Sequence, residues 1–245
     1  VLIPGYDTFN HARARAVTWS LTNPDVCMTL NHALPTAPVQ VYNNYGGKSN
    51  EEFLAGYGFT LDTCSEDTLA LRLGGSGDAE VASVTHYWRT PTSAGEEELR
   101  DAEGRFVEPA CPAPGLPEEI RRTCVHSPGL SSVEVYGRVL EVLEAMLLGK
   151  RKAFRSSQRA FDDLIESTLV EGAEAAWDRA KPDMVRRVVY DNVARYRKGQ
   201  LALLNHAVQW TRAVLERVDE VMDAEQDEMD EDYEEDEARE EVENR

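Results

Sequence analysis

Two places in this sequence gather side chains that can do chemistry together. One is the pair Asn10-His11, which closes the run Gly5-Tyr6-Asp7-Thr8-Phe9. The other is the stretch from Tyr42 to Phe59, with Tyr45, Tyr57 and Phe59 among four glycines, and Tyr45 lies 34 residues after His11. A phenol hydroxyl and an imidazole beside apolar ring faces can orient a polar group against an apolar wall. The same residue types also fit plain core aromatics in a glycine-rich turn. Two further Asn-His pairs occur, Asn31-His32 and Asn205-His206. The first reads as turn chemistry before Pro35, the second as a structural pair inside a helix. Tyr42 reads as packing and Lys48 as a solvated turn residue.

The elements that must position these residues come in two kinds. Val17–Thr22 and Val26–Leu30 flank Asn23-Pro24-Asp25 and read as a hairpin. Val39-Gln40-Val41-Tyr42 reads as a further short strand, and the N-terminal Val1-Leu2-Ile3 as a strand end entering a Pro-Gly turn. Asn50 to Ala55 reads as a short helix capped by Ser49 or Asn50 and ended by Gly56. Thr68–Leu73 reads as a strand ending at Gly74-Gly75. Beyond it, 75–131 reads as an irregular stretch punctuated by Pro109, Pro112, Pro114 and Pro117.

From 132 to 222 the pattern becomes helical. Val139, Leu140, Leu143, Met146 and Leu147 keep one face, and Phe161, Leu164, Ile165 and Leu169 repeat the spacing. A second apolar series runs from Met184 through Val185, Val188, Val189, Val193, Leu204, Val208 and Val214 to Val218, opening after Pro182. It predicts one long helix or two joined near Gly199.

Charge narrows the partners. The formal charge is −19, but Asp219–Arg245 alone carries −14, which leaves −5 for the other 218 residues. The acidity belongs to a tail, expected to be a disordered, solvated extension over 223–245. A body without a basic block is a poor direct nucleic-acid binder. Cys27, Cys64, Cys111 and Cys124 show no CxxC spacing, so reduced thiols in a cytoplasmic or nuclear protein are expected, with no metal site. No apolar run is long enough to span a membrane.

Taken in order, Gly5-x-Asp7-x-x-Asn10-His11, the hairpin, Gln40-Val41-Tyr42-Asn43-Asn44-Tyr45-Gly46 and Ser49-Asn50-Glu51-Glu52-x-Leu54-x-x-Tyr57-Gly58-Phe59 resemble the SET-domain protein methyltransferases. The subgroup they are most similar to is typified by the Rubisco large-subunit lysine methyltransferase and its fungal ribosomal-protein relatives. Glu66–Gly74 is similar to the link into that family's helical lobe, and Tyr196-Arg197-Lys198-Gly199-Gln200-Leu201 to a helix within it. The resemblance implies an α+β fold with the C-terminal part of a β-rich SET domain over 1–62. A link and variable loop follow over 63–131, a helical substrate-binding lobe over 132–222, and the acidic tail.

The resemblance also implies roles. Asn10 and His11 fall on S-adenosylmethionine contacts, and Tyr45 on the catalytic tyrosine beside the same cofactor. Tyr57 and Phe59 fall on walls of the channel for the target side chain, with Asp7 near it. The implied partner is a protein substrate offering a lysine, such as a ribosomal or other basic protein, and the implied state is a monomer. A related class acts on histidine, but the Tyr57-Gly58-Phe59 form leans towards lysine. Methyl transfer suits such residues. A free lysine amine, with a pKa of about 10.4, is neutral in only about one molecule in 10³ at pH 7. An apolar aromatic channel disfavours the ammonium and holds the amine in line.

Two departures stand out. Ala37-Pro38-Val39 replaces the family's usual Ala-Gly-Glu, which should change a turn rather than the chemistry. The family's glycine-rich cofactor loop lies upstream of its Asn-His block, where this sequence has about ten residues. The chain is therefore expected to be an N-terminally truncated form, inactive alone. Two other readings compete with a methyltransferase: a non-catalytic helical interaction module keeping a SET remnant, and an acidic-tail binder of basic proteins.

Overall fold

The computed structural model describes residues 5–243 except 23–24, 32, 35, 37, 74–82, 91–97, 126–127 and 171–184, with side chains undescribed at 164–170, 185 and 229–243. Strand pairs and two short helices fill the first half, and long helices the second. This is the α+β arrangement that the sequence implies.

The first pair is the expected hairpin. β1 (Val17–Thr22) and β2 (Asp25–Leu30) run antiparallel, with Trp19 opposite Met28. Its turn residues Asn23 and Pro24 lie outside the described residues, as do Val1–Pro4. The strand expected at Val39–Tyr42 does not form. A strand needs a neighbour to share its backbone hydrogen bonds. Here the pairing is confined to one parallel bridge between His11 and Asn43.

Helix α1 (Asn50–Tyr57) is capped by Ser49. The Glu52 amide donates to Ser49 Oγ at 3.3 Å, and the Ser49 amide donates to Glu52 Oε2 at 2.9 Å. This reciprocal capping box satisfies two otherwise orphaned amides. The expected stop at Gly56 is wrong by two residues. Gly56 stays helical, and Gly58 takes the left-handed cap at φ +76°, its amide donating to Leu54 O at 3.2 Å.

The expected strand appears as β3 (Leu69–Leu73), but its partner lies in the region read as irregular. β4 (Val84–Trp88) pairs antiparallel with it, Leu69 opposite Trp88. Helix α2 (Leu116–Cys124) also lies there. Pro117 marks the first turn of this helix, where a missing amide costs nothing, rather than a loop. Glu118 and Glu119 near its start and Arg121 and Arg122 near its end suit the helix dipole.

Two long helices complete the fold. α3 (Ser132–Thr168) begins with a second box, Ser131 with Glu134. Short parallel strands β5 (Leu169–Val170) and β6 (Val185–Arg186) join it to α4 (Arg187–Glu243). Pro182 lies outside the described residues. α4 passes Gly199 without a break and continues through the acidic run, where a disordered extension was expected. Glutamate is a good helix former, and the run extends a helix already docked by its first half.

One core joins the β3–β4 ribbon to α2, α3 and α4. Val139, Leu140, Leu143 and Leu147 of α3 are buried against Leu204, Val208, Val214 and Val218 of α4. Trp88 and Trp210 meet edge-to-face at 5.4 Å, tying ribbon to helix. The helices lie close at Gly137, where a Cβ would meet Val218 Cγ1 at 3.5 Å, an ordinary van der Waals contact. Val188 and Val189, expected in the apolar series, are exposed instead.

Candidate active site

Backbone pairing brings the two chemistry-bearing segments together. The Asn43 amide donates to Asn10 O at 2.9 Å, and the Ala12 amide to Asn43 O at 3.0 Å. Asn side chains then shape the loop. Asn43 Oδ1 accepts from the Asn44 amide at 2.7 Å, and Asn44 Oδ1 from the Gly46 amide at 3.0 Å. Gly46 turns at φ +92°, which disfavours a side chain.

This loop sets Tyr45 on His11. The Tyr45 amide donates to His11 Nδ1 at 3.1 Å, and the rings lie 5.2 Å apart. An imidazole that accepts at Nδ1 is neutral with its proton on Nε2. Burial lowers the His11 pKa in the same sense, while the Glu66 carboxylate opposes the shift. The Tyr45 hydroxyl donates to Phe9 O at 2.6 Å. Burial raises its pKa above 10.0, helped by nearby Tyr57 and Asp7, so it remains a phenol donor.

The other predicted rings join the same cluster. Tyr57 stacks on Tyr45 at 4.8 Å, with Phe59 at 6.4 Å from Tyr45 and 6.2 Å from Tyr57. Tyr57, at the end of α1, is 49% exposed and forms the open edge. Two predicted residues stand outside the rings. Asn10 is exposed and contributes its backbone carbonyl to the bridge. Asp7 is exposed, with its charge felt at Tyr45.

Phe53 is a further member of the cluster that the sequence pattern did not single out. It is 1% exposed and lies 4.9 Å from His11 and 5.0 Å from Phe59. Its signal was the helical spacing of four to Tyr57, which puts both rings on one face of α1. Beside the cluster a recess of about 270 Å³ is lined by His11, Arg13, Asn44, Gly46 and Lys48, among others. Lys48 therefore sits at the recess rather than in an open turn.

No protein-family model matches the chain. Over 75 residues it is 35% identical to ribosomal lysine N-methyltransferase set10 of Schizosaccharomyces pombe, a stretch covering 30% of this chain and 14% of that protein. Over 75 residues it is 40% identical to ribosomal lysine N-methyltransferase 1 of Saccharomyces cerevisiae, covering 30% of this chain and 12% of that one. Both relatives are lysine methyltransferases by name. The chain thus matches only a small part of each. The similarity is to lysine methyltransferases and does not single out the Rubisco-type subgroup.

All four cysteines are free, and burial pushes the Cys64 and Cys111 thiols up to about 11, so neither is an activated nucleophile. Among the described residues, no helix is long and apolar enough to cross a membrane.

Proposed function

We propose that this chain carries part of the active site of an S-adenosylmethionine-dependent protein-lysine N-methyltransferase of the SET type, in the Rubisco-methyltransferase-like subgroup. The observation that carries the reading is the seating of Tyr45 on His11 inside a cluster shared with Tyr57 and Phe59. Tyr45 is the catalytic residue, and Tyr57 and Phe59 are walls of the lysine channel. Asp7 offers a carboxylate near the channel, which favours arrival of a cationic side chain.

The residues fit part of the cofactor. The recess beside His11 offers Asn44, Lys48 and the turn of Gly46, while its volume lies just below the roughly 300–1,000 Å³ of ordinary ligand clefts. Asn10, His11 and Tyr45 would hold that part. S-adenosylmethionine supplies a methyl group on a sulfonium. The protein's own share is to desolvate and align. The aromatic walls disfavour the ammonium, so a larger fraction of the lysine is neutral and nucleophilic. The Tyr45 phenol orients the amine lone pair, and the rings exclude water.

The substrate is a basic protein, by the names of the relatives a ribosomal one, reached in the cytoplasm or nucleus. The test is methyl transfer to a lysate by the protein, with Tyr45→Phe as control. Transfer to lysine that falls sharply in the variant supports the reading, and equal activity removes Tyr45 from its centre. Because the recess fits only part of the cofactor, this chain should bind S-adenosylmethionine more weakly than micromolar. Isothermal titration checks this, and micromolar binding would contradict it.

A further inference from the structure

The segment that carries the aromatic wall is clasped from the far end of the chain. Thr60 follows Phe59 and is 8% exposed. Its amide donates to Asn192 Oδ1 at 2.8 Å, and its hydroxyl donates to the same oxygen at 2.9 Å. On the other side of Phe59, the carbonyl of Gly58 accepts from Asn192 Nδ2 at 3.5 Å. Asn192 Nδ2 also donates to Val188 O at 2.9 Å, one turn back along α4. Arg195, on the same face, donates from Nη1 to Thr60 Oγ1 at 2.9 Å and to Asn192 Oδ1 at 3.2 Å. Asn192 is only 7% exposed.

Such a clasp needs a side chain that both accepts and donates. A primary amide does this with one oxygen and one NH₂. A carboxylate at the same place would keep the acceptor for Thr60 and lose the donor for Gly58.

We propose that Asn192 is a positioning residue of the site. By holding Gly58 and Thr60, it sets the Phe59 ring, and through the left-handed turn at Gly58 the Tyr57 ring, against Tyr45. The inference rests on the reading of these rings as the lysine channel, and it makes the first turns of α4 a working part of that channel. α4 has other anchors that do not touch this segment. Gln200 Nε2 donates to Thr68 O at 3.0 Å, and Leu203, Leu204, Ala207 and Val208 are buried in the core. Removing the clasp should loosen the wall while the helix stays docked.

The test uses the full-length protein with Asn192→Ala and Asn192→Asp, and Gln200→Leu as a control that breaks a neighbouring anchor of the same helix. Amide hydrogen exchange reads the clasp directly. Asn192→Ala should speed exchange at Thr60 by about tenfold or more, as a released amide does, with core amides of α4 unchanged. Steady-state methyl transfer reads its consequence. kcat should fall on the order of 10- to 100-fold with the KM for S-adenosylmethionine unchanged, since misplacement of reacting groups costs rate. Asn192→Asp should fall between wild type and Asn192→Ala, and Gln200→Leu should keep wild-type kcat. Unchanged exchange at Thr60, or equal kcat in Asn192→Ala and Gln200→Leu, overturns the proposal. A wild-type protein that transfers no methyl group overturns the reading of the site instead, and the exchange result still decides the clasp. Should Asn192→Ala not fold, Thr60→Val, which loses the hydroxyl's links to Asn192 and Arg195 and keeps the amide link, carries the same expectation at smaller amplitude.

Discussion

Two groups at the site are held away from their charged forms, and both effects are measurable. Tyr45 donates its hydroxyl hydrogen bond to Phe9 O and has a raised pKa, so its proposed role is orientation by a neutral phenol, not by an anion. Tyr45→Phe should therefore leave the fold intact, costing about 1 kcal/mol for one lost hydrogen bond, while methyl transfer by the full-length protein falls. Urea unfolding and a methylation assay separate the two effects. His11 sets a pH dependence. Its folded pKa lies below 6.5, so between that lowered value and 6.5 the unfolded chain binds more protons. Stability then rises with pH across this window and declines as the medium is acidified through it. His11→Asn should flatten that slope. Urea midpoints at pH 5 and pH 8 for both proteins give the comparison, and parallel slopes would rule His11 out as the cause.

Among the elements, α1 sets the site most directly, because Phe53 and Tyr57 share one of its faces. Its start depends on the box of Ser49 and Glu52, which also holds the Glu52 carboxyl below its ordinary range through the Ser49 amide. Ser49→Ala should cost about 1 kcal/mol of stability and disturb the Tyr45–Tyr57 stacking. Denaturant unfolding checks the first outcome, and near-ultraviolet dichroism the second. α4 responds to pH in the opposite sense from His11. Burial, with Asp223 and Glu141 nearby, raises the Asp219 pKa. There the folded state binds more protons, so acidification through the raised value favours the helix. Repulsion along the acidic run works the same way, like charges four apart being unfavourable. Far-ultraviolet helicity should thus increase from pH 7 to pH 4, and added salt at pH 7 should mimic part of the gain.

At the scale of the molecule, the site hangs on a helical body. Leu143 of α3 is fully buried in the core shared with α4. Leu143→Ala should cost about 2–5 kcal/mol, the usual range for such a cavity. Thermal unfolding measures it, and a change well under 1 kcal/mol would deny that the two helices share one core. The helical face of Val139, Leu140, Leu143 and Leu147 was legible because a period of 3.6 survives in sequence without reference to any partner. The hairpin was legible for a similar local reason, its turn residues lying between two β-rich runs. α2 was not, because Pro117 marks a helix start and a loop equally well until the chain before it is placed. β4 was missed although Val84-Thr85-His86-Tyr87-Trp88 has strand composition, since a ladder is declared only by its partner.

The same division holds at the site. By itself the sequence determined which side chains are present, and their order carried the resemblance that singled out Asn10, His11, Tyr45, Tyr57 and Phe59. The helix start at Ser49 or Asn50 was also legible, because a cap depends on neighbours within a few residues, whereas the left-handed turns at Gly46 and Gly58 were not, the stop having been expected at Gly56. The tertiary structure decided what meets what. It set the Tyr45 amide on His11 Nδ1, buried Phe53 between His11 and Phe59, and brought Asn192 onto Thr60 and Gly58 from 132 and 134 residues away. Hydrogen bonds and ring contacts act over a few ångströms. Only folding converts a separation along the chain into one that short.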